Sequence, residues 1–128
     1  MSKPRLSSEE RAAIEGVLTP LRPLVVYLFG SKGTDREHPD SDIDLAILPS
    51  SPMDPVESFD LANRISSKLD VHVDLVDLTT ASTVMCKEVL RTGERMVMLD
   101  PLATGEFEMR TLSSYARLNE ERAEILAR

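Results

Sequence analysis

The sequence predicts a single domain of the α/β class, because runs of strand character alternate with helical stripes along a chain of domain length. The chain has 128 residues, of which 41% are hydrophobic and 29% charged, an ordinary balance for one globular domain. Residues 24–29 and 71–78 are rich in the β-branched and aromatic side chains that favour strands. Residues 54–69 instead place apolar side chains at helical spacing.

The first helix is predicted to begin at Ser7, because Ser7 and Glu10 have the spacing of a capping box. Apolar residues between positions 12 and 18 give this helix a core-facing side. Pro20 and Pro23 then end the helix and set the entry into the first strand. We expect this helix to have a structural role.

The most informative stretch joins two predicted strands through Gly30-Ser31, ten further residues and the triplet Asp42-Ile43-Asp44. Residues two apart in a strand share a face, so Asp42 and Asp44 are expected side by side, with Cα atoms roughly 7 Å apart. Adjacent carboxylates repel unless their pKa values rise or a cation lies between them. Gly30 lets a phosphate approach the backbone, and Ser31 adds a hydroxyl and an N–H. The stretch therefore predicts an anion-binding turn beside a pair of metal ligands.

Residues 30–44, GSKGTDREHPDSDID, resemble the G-S-x(10)-D-x-D signature of the nucleotidyltransferase superfamily that has the DNA polymerase β fold. The small size is similar to that of the minimal nucleotidyltransferase (MNT) domains, many of which are antitoxins of HEPN/MNT toxin–antitoxin pairs. The resemblance implies the polymerase β-like fold, and we expect a small mixed sheet with helices packed on one face and the active face left open. Family members often have a second glycine five residues after the first, where this chain has Asp35.

The second helix is predicted to begin with Asp54 as its N-cap and Pro55 at its first position. Six apolar residues follow at helical spacing, and we expect them to form a stripe that faces the core. These residues are Val56, Phe59, Leu61, Ala62, Ile65 and Leu69.

Residues 71–78 alternate between two faces and predict a further strand, with His72, Asp74 and Val76 on one face. An acidic residue within an apolar strand is expensive to bury without a partner, and a neighbouring metal site explains it. In the resembled family a third carboxylate comes from a strand next to the Asp-x-Asp strand, and Asp74 matches that position. Asp77, on the other face, is the rival. His72 either lines the site or packs at the edge of the sheet.

Residues 79–90 predict a third helix that ends at Thr92-Gly93. Cys86 is expected to be an inert structural thiol. The candidates for the N-cap are Thr79, Thr80 and Ser82, and the predicted core-facing residues are Val84, Met85, Val89 and Leu90.

Residues 94–100 predict the last strand, and residues 101–128 predict an amphipathic helical tail. We therefore assign residues 1–100 to the minimal nucleotidyltransferase domain and residues 101–128 to the tail. The tail either packs on the domain or docks a partner, which includes a second copy of the chain.

Composition narrows the function classes. No apolar run reaches the roughly 18 residues of a membrane span, and the N-terminus lacks the apolar core of a signal peptide. The single cysteine fits a reducing cytoplasm. A net charge of −7 argues against long nucleic acid as a ligand and is compatible with a basic protein partner. With 4% aromatic residues and no tryptophan, a base-stacking platform is not expected.

The resemblance implies an enzyme that transfers a nucleoside monophosphate, AMP from ATP, to a hydroxyl acceptor. It implies that Gly30 and Ser31 hold the triphosphate, that Asp42 and Asp44 bind two Mg²⁺ ions, and that Asp74 binds the catalytic metal and accepts the acceptor proton. For an antitoxin of this family the acceptor would be a tyrosine of a partner HEPN toxin, within a homo- or hetero-oligomer. Two alternatives remain open: an antibiotic-type enzyme with a small-molecule acceptor, and a non-catalytic antitoxin that acts by binding.

Overall fold

A four-stranded sheet forms the centre of the computed structural model, which describes residues 6–30 and 43–127. Strand β1 (Val25–Phe29) runs antiparallel to its two neighbours, β2 (Ile43–Leu48) and β4 (Glu94–Met98), whereas β2 and β3 (Val73–Asp77) are parallel. The predicted α/β class with a small mixed sheet is therefore confirmed. The sheet order is β3-β2-β1-β4.

Side-chain caps set the starts of the first three helices. Ser7 and Glu10 form the predicted capping box, with the Glu10 N–H donating to Ser7 Oγ over 3.0 Å. Asp54 accepts from the Glu57 N–H over 2.9 Å, as predicted. Ser82 is the cap of the third helix. The helices are α1 at Ser8–Leu18, α2 at Pro55–Leu69, α3 at Thr83–Thr92 and α4 at Pro101–Ala127, with a short 3-10 helix at Thr19–Leu21.

One face of the sheet packs against α1 and α2. Ile14 and Leu18 of α1 and Ile65 of α2 are fully buried among the apolar side chains that the strands direct to this face. On β1 and β2 those strand side chains are Val26, Leu28, Ile43, Leu45 and Ile47.

Helices α3 and α4 cover the opposite face, so the expectation that helices pack on one face alone was wrong. Val89 of α3 and Phe107 of α4 are buried there against Tyr27. The reason lies in β1, all five residues of which are buried, because a strand that is apolar on both sides needs cover on both sides. The Asp74 side chain, on β3, is still 54% exposed. The open part of this face therefore includes the β3 edge.

Helix α2 has a narrower core-facing stripe than the sequence predicted. Leu61, Ala62 and Ile65 are buried, but Val56 and Phe59 are 68% and 66% exposed. At about 100° per residue, Val56 lies on the side of the helix opposite Ile65, and Phe59 is about 120° away from it. The prediction that these two side chains face the core was therefore wrong.

Helix α3 is also less buried than predicted. Cys86 and Val89 are buried, whereas Val84 and Met85 are 46% and 38% exposed. Because the helix begins at Thr83, both exposed residues lie in its first turn, at the margin of the packed face. Burial raises the pKa of the Cys86 thiol, which agrees with a structural cysteine.

Helix α4 packs on the domain along its first half. Thr104, Phe107 and Thr111 are buried, but every residue from 119 to 127 is exposed, including Leu126 at 85%. The predicted boundary at residue 100 therefore lies between the strands and a helix whose first half belongs to the same core. No helix within residues 6–30 and 43–127 is long and apolar enough to span a membrane.

A polar cluster ties α4 to the sheet. The Tyr27 hydroxyl donates to Glu108 Oε2 over 2.5 Å, and the Arg95 guanidinium also binds the Glu108 carboxylate. Burial and the bond to Glu108 raise the pKa of Tyr27 well above its usual value, while the hydrogen bond from Arg95 lowers the pKa of Glu108. The buried phenol is therefore held neutral against an ionised carboxylate.

We expect the Tyr27→Phe variant to lose about 1 kcal/mol of stability at neutral pH, because Glu108 loses a hydrogen bond. Its stability should also decline less at high pH. The reason is that Tyr27 has a higher pKa in the folded chain than in the unfolded chain, where it is about 10. The unaltered chain therefore keeps this contribution to stability below pH 10 and loses it as the pH rises further, by up to about 1.4 kcal/mol per pH unit.

Urea unfolding of both proteins between pH 7 and pH 11 checks this expectation, and the two stability curves should converge as pH rises. A Tyr115→Phe control keeps the Tyr27–Glu108 bond and should follow the unaltered chain at the alkaline end. Parallel curves for the unaltered chain and Tyr27→Phe would contradict the assignment.

Candidate active site

Two of the predicted site carboxylates meet at one end of the sheet. Asp44 lies opposite Phe29 on the antiparallel side and is the register partner of Asp74 on the parallel side. Their strand neighbours Ile43 and Val73 point to the α1/α2 core. Because side chains alternate along each strand, Asp44 and Asp74 share the other face as direct cross-strand neighbours.

The turn at Gly30 fits closely against Asp44. Gly30 has φ of +82°, and a β-carbon at this position would lie 2.3 Å from Asp44 Oδ2. Only glycine combines this backbone conformation with such a close approach. The group that lies against Gly30 in the structure is the Asp44 carboxylate, whereas the predicted approach of a phosphate to this turn stays a prediction.

Helix α3 supports the same turn from behind. The Gly30 N–H donates to Thr92 Oγ1 over 3.3 Å, and Thr92 Oγ1 donates to the Glu88 carbonyl over 2.9 Å. The sequence had marked Thr92 and Gly93 only as the end of a helix, so this contact was missed. A β-carbon on Gly93 would lie 3.3 Å from both the Leu28 carbonyl oxygen and Phe29 Cβ, so the end of α3 lies close to β1. No local sequence pattern predicts such a contact between distant elements.

The structure places Asp74, and not Asp77, beside Asp44. Asp77 pairs with Ile47 further along the strand, about 10 Å from Asp74. Its Oδ1 accepts hydrogen bonds from the Thr79 N–H and Thr79 Oγ1, over 2.9 and 2.7 Å. Asp77 therefore stabilises the turn that follows β3.

His72 contacts Asp74 and is not packed into the core. Its Nε2 lies 3.1 Å from Asp74 Oδ1, and the two side chains are 64% and 54% exposed. The structure therefore places His72 at the sheet edge and in contact with Asp74, and a role of His72 in the site stays a prediction. The contact holds one oxygen of the Asp74 carboxylate in a defined orientation.

Ser31 and Asp42 lie outside the described residues. Within residues 6–30 and 43–127, no group of three or more His, Cys, Asp or Glu side chains could by itself hold a metal ion. Asp44 and Asp74 nevertheless fit a hard divalent cation, because neighbouring carboxylates repel each other without one and supply the oxygen donors that Mg²⁺ prefers.

A glycine turn against one carboxylate, with a second carboxylate on the next strand, suits an enzyme that transfers phosphate-containing groups. Residues 14–101 match the Polymerase beta, Nucleotidyltransferase family, and the chain belongs to this family. The predicted class, a nucleotidyltransferase, is thereby confirmed. Members of this family generally use a divalent metal ion and a nucleoside triphosphate.

The similarity extends to a particular group within the family. The chain is 39% identical to the protein adenylyltransferase MntA of Shewanella oneidensis over 105 residues, which are 80% of this chain and 73% of that protein. It is similar to a chain in the crystal structure of a toxin–antitoxin with AMP-PNP, with a TM-score of 0.80 and 35% identity over 91% of this chain and 95% of that chain.

A further similar structure is that of the tri-AMPylated Shewanella oneidensis HEPN toxin in complex with MNT antitoxin. The TM-score is 0.77 with 33% identity, over 92% of this chain and 93% of that chain. The predicted resemblance to MNT antitoxins is confirmed: the chain is a homologue of the MntA protein adenylyltransferases.

We expect Gly30→Ala to lower the free energy of unfolding by more than about 1 kcal/mol, because the added methyl group meets Asp44 in a backbone conformation that alanine rarely adopts. Gly16→Ala is the matched control. Gly16 lies in α1, and no atom is within 4 Å of an added β-carbon. The control should gain about 0.5–1 kcal/mol from helix propensity. Urea denaturation measures both changes, and a Gly30→Ala variant as stable as the unaltered chain would show that Asp44 does not rest against this turn.

Proposed function

We propose that this chain is an antitoxin that transfers AMP from ATP to a tyrosine hydroxyl of a partner HEPN toxin. The observation that carries the proposal is the pairing of Asp44 with Asp74 directly beside the Gly30 turn. The likeness to the MntA adenylyltransferase and to the toxin complexes supports the choice of nucleotide and acceptor. A bacterial toxin–antitoxin pair of this kind acts in the cytoplasm, which agrees with the single cysteine.

In this mechanism Gly30 and Ser31 hold the triphosphate against the end of β1. Asp42, Asp44 and Asp74 would hold two Mg²⁺ ions. Divalent ions bound there would neutralise charge on the phosphates and in the transition state. The fixed position of Asp44 against the Gly30 backbone keeps this ligand in place before the nucleotide arrives, so little reorganisation is needed.

Asp74 accepts the proton of the acceptor hydroxyl. The hydroxyl oxygen forms a bond to the α-phosphorus of ATP, the bond from that phosphorus to the bridging oxygen breaks, and pyrophosphate leaves. The proton moves from the hydroxyl to the Asp74 carboxylate. The 54% exposure of this side chain leaves it accessible to a group on another protein, while the contact with His72 fixes its orientation.

The proposal predicts label transfer from α-labelled ATP, in the presence of Mg²⁺, to a partner HEPN toxin. Asp74→Asn should lower the rate at saturating substrates by at least about 100-fold, because general-base catalysis is lost. Asp77→Asn is the control, since an asparagine oxygen can still accept from Thr79. It should keep the rate within about threefold, since it removes no catalytic group.

Equal losses in the two variants would reject Asp74 as the base. Label in small molecules alone would instead support the antibiotic-type enzyme. Binding of the partner without transfer, unaffected by a combined Asp42→Asn and Asp44→Asn change, would support the non-catalytic antitoxin.

A further inference from the structure

A groove of about 390 Å³ lies between α2 and the outer edge of β3, and Asp74 forms part of its lining. Gly30 and Asp44 lie on the inner side of Asp74, towards the centre of the sheet, because the strand order is β3-β2-β1. The groove lies on the outer side. Asp74 is therefore located between the proposed nucleotide site and this groove.

The α2 side of the groove includes an exposed aromatic residue. Phe59 lines the groove and is 66% exposed, and Val56, one helical turn earlier, is 68% exposed. Met53 and Ala62 add further apolar surface to the lining. Neighbouring large apolar side chains left in solvent beside a reactive carboxylate are typical of a surface that another molecule covers.

The β3 side of the groove is a sheet edge. The Ile43 N–H donates to the His72 carbonyl and the Leu78 N–H donates to the Ile47 carbonyl, each over 3.0 Å. In a parallel pair, successive residues direct their backbone groups alternately towards and away from the neighbouring strand. Because His72 and Leu78 bond to β2, Val73 and Leu75 direct their backbone groups away from β2. Both residues line the groove, where Ser58 Oγ donates to the Leu75 carbonyl over 3.4 Å. Within the described part of the chain no strand pairs with this edge, so an extended peptide can bind there and displace the long Ser58 bond at Leu75.

The charge of the groove favours a basic ligand. Its ionisable lining residues are Asp54, Asp74, Asp77 and His72, and the whole chain has a net charge of −7. Acidic surfaces attract positively charged segments and repel acidic ones. An apolar wall, an open strand edge and an acidic lining together fit an extended polypeptide with basic residues and one apolar side chain.

We propose that this groove binds the acceptor segment of the protein substrate, a basic extended segment that packs an apolar side chain on Phe59 and presents its hydroxyl to Asp74. This inference rests on the proposed transfer of AMP to a protein hydroxyl. It adds that the acceptor approaches along the β3 edge, while ATP approaches from the Gly30 side.

The test compares Phe59→Ser with Phe59→Leu in the full-length chain. Met109→Ser is the matched control, because Met109 is an apolar residue that is 71% exposed on α4, away from the groove. For each protein we would measure kcat and KM with a partner HEPN toxin as acceptor, and the Kd for a fluorescent ATP analogue with Mg²⁺. Phe59→Ser should raise the acceptor KM by about tenfold or more, and leave the kcat and the Kd for the analogue within about twofold, since Asp74 and the residues that hold the nucleotide are unaltered.

Phe59→Leu should have an acceptor KM close to that of the unaltered chain, because leucine keeps an apolar side chain in the groove. Met109→Ser should behave as the unaltered chain. An unchanged KM in Phe59→Ser, or an equal rise in the Met109→Ser control, would overturn the proposal.

A charge test uses two tyrosine peptides with the same central sequence, one flanked by Lys and Arg and one flanked by Glu. The basic peptide should have a kcat/KM at least about tenfold higher, and equal values would overturn the charge argument.

Failure of the groove and failure of the proposed function give different results. If the unaltered chain transfers no label, the proposed function is wrong. Titration of the chain with the HEPN protein in the absence of ATP then tests whether the groove binds that protein. Phe59→Ser should weaken that binding by about tenfold. If the unaltered chain transfers label, and Phe59→Ser has the same partner affinity and the same acceptor KM as the unaltered chain, the groove proposal alone is rejected.

Discussion

The parallel register between β2 and β3 is the constraint on which the site depends. It sets Asp44 opposite Asp74, and it is fixed by the apolar residues Ile43, Leu45 and Val73 on the other face. A slip of one residue would move both apolar and acidic side chains to the wrong faces. The packing of the α1/α2 core therefore holds the two carboxylates together, although their mutual repulsion opposes it.

The face of the sheet opposite α1 and α2 is covered over β1 and exposed at the β3 edge. Helices α3 and α4 bury Tyr27 and the rest of β1 on this face, and the end of α3 supports the Gly30 turn through Thr92. The cover over β1 and the exposed Asp74 on β3 coexist because the sheet places β3 at its edge. The same face thus has a glycine turn at the end of its central strand β1 and an exposed carboxylate at its margin.

The sequence predicted those features that local chemistry determines. Capping residues, proline breaks and the alternation around Asp74 depend on neighbours within a few positions, and the structure confirms the cap at Asp54 and places Asp74 beside Asp44. The preference for Asp74 over Asp77 came from the resemblance to the family, and alternation placed the two carboxylates on opposite sides of β3. The spacing between Gly30 and Asp44 identified the family before any tertiary contact was known.

What the sequence could not predict depends on distant contacts. The spacing places Phe59 about 120° from Ile65 around α2, but only the packing of α2 on the sheet shows that this side of the helix is left exposed. The cover of both faces likewise depends on where α3 and α4 pack, and the contact of Thr92 with Gly30 joins residues 62 positions apart. Such outcomes follow from the packing of whole elements, which local propensity does not encode.

Anomalous diffraction from Mn²⁺, in crystals of the full chain with a non-hydrolysable ATP analogue, would show whether Asp44 and Asp74 share a metal ion. We expect a Mn²⁺ peak bonded to carboxylate oxygens of both Asp44 and Asp74, beside the phosphates at the Gly30 turn, and loss of the Asp74 bond in Asp74→Asn. Nucleotide and metal bound elsewhere, or no metal ion bonded to Asp74, would show that this pair is not the metal site.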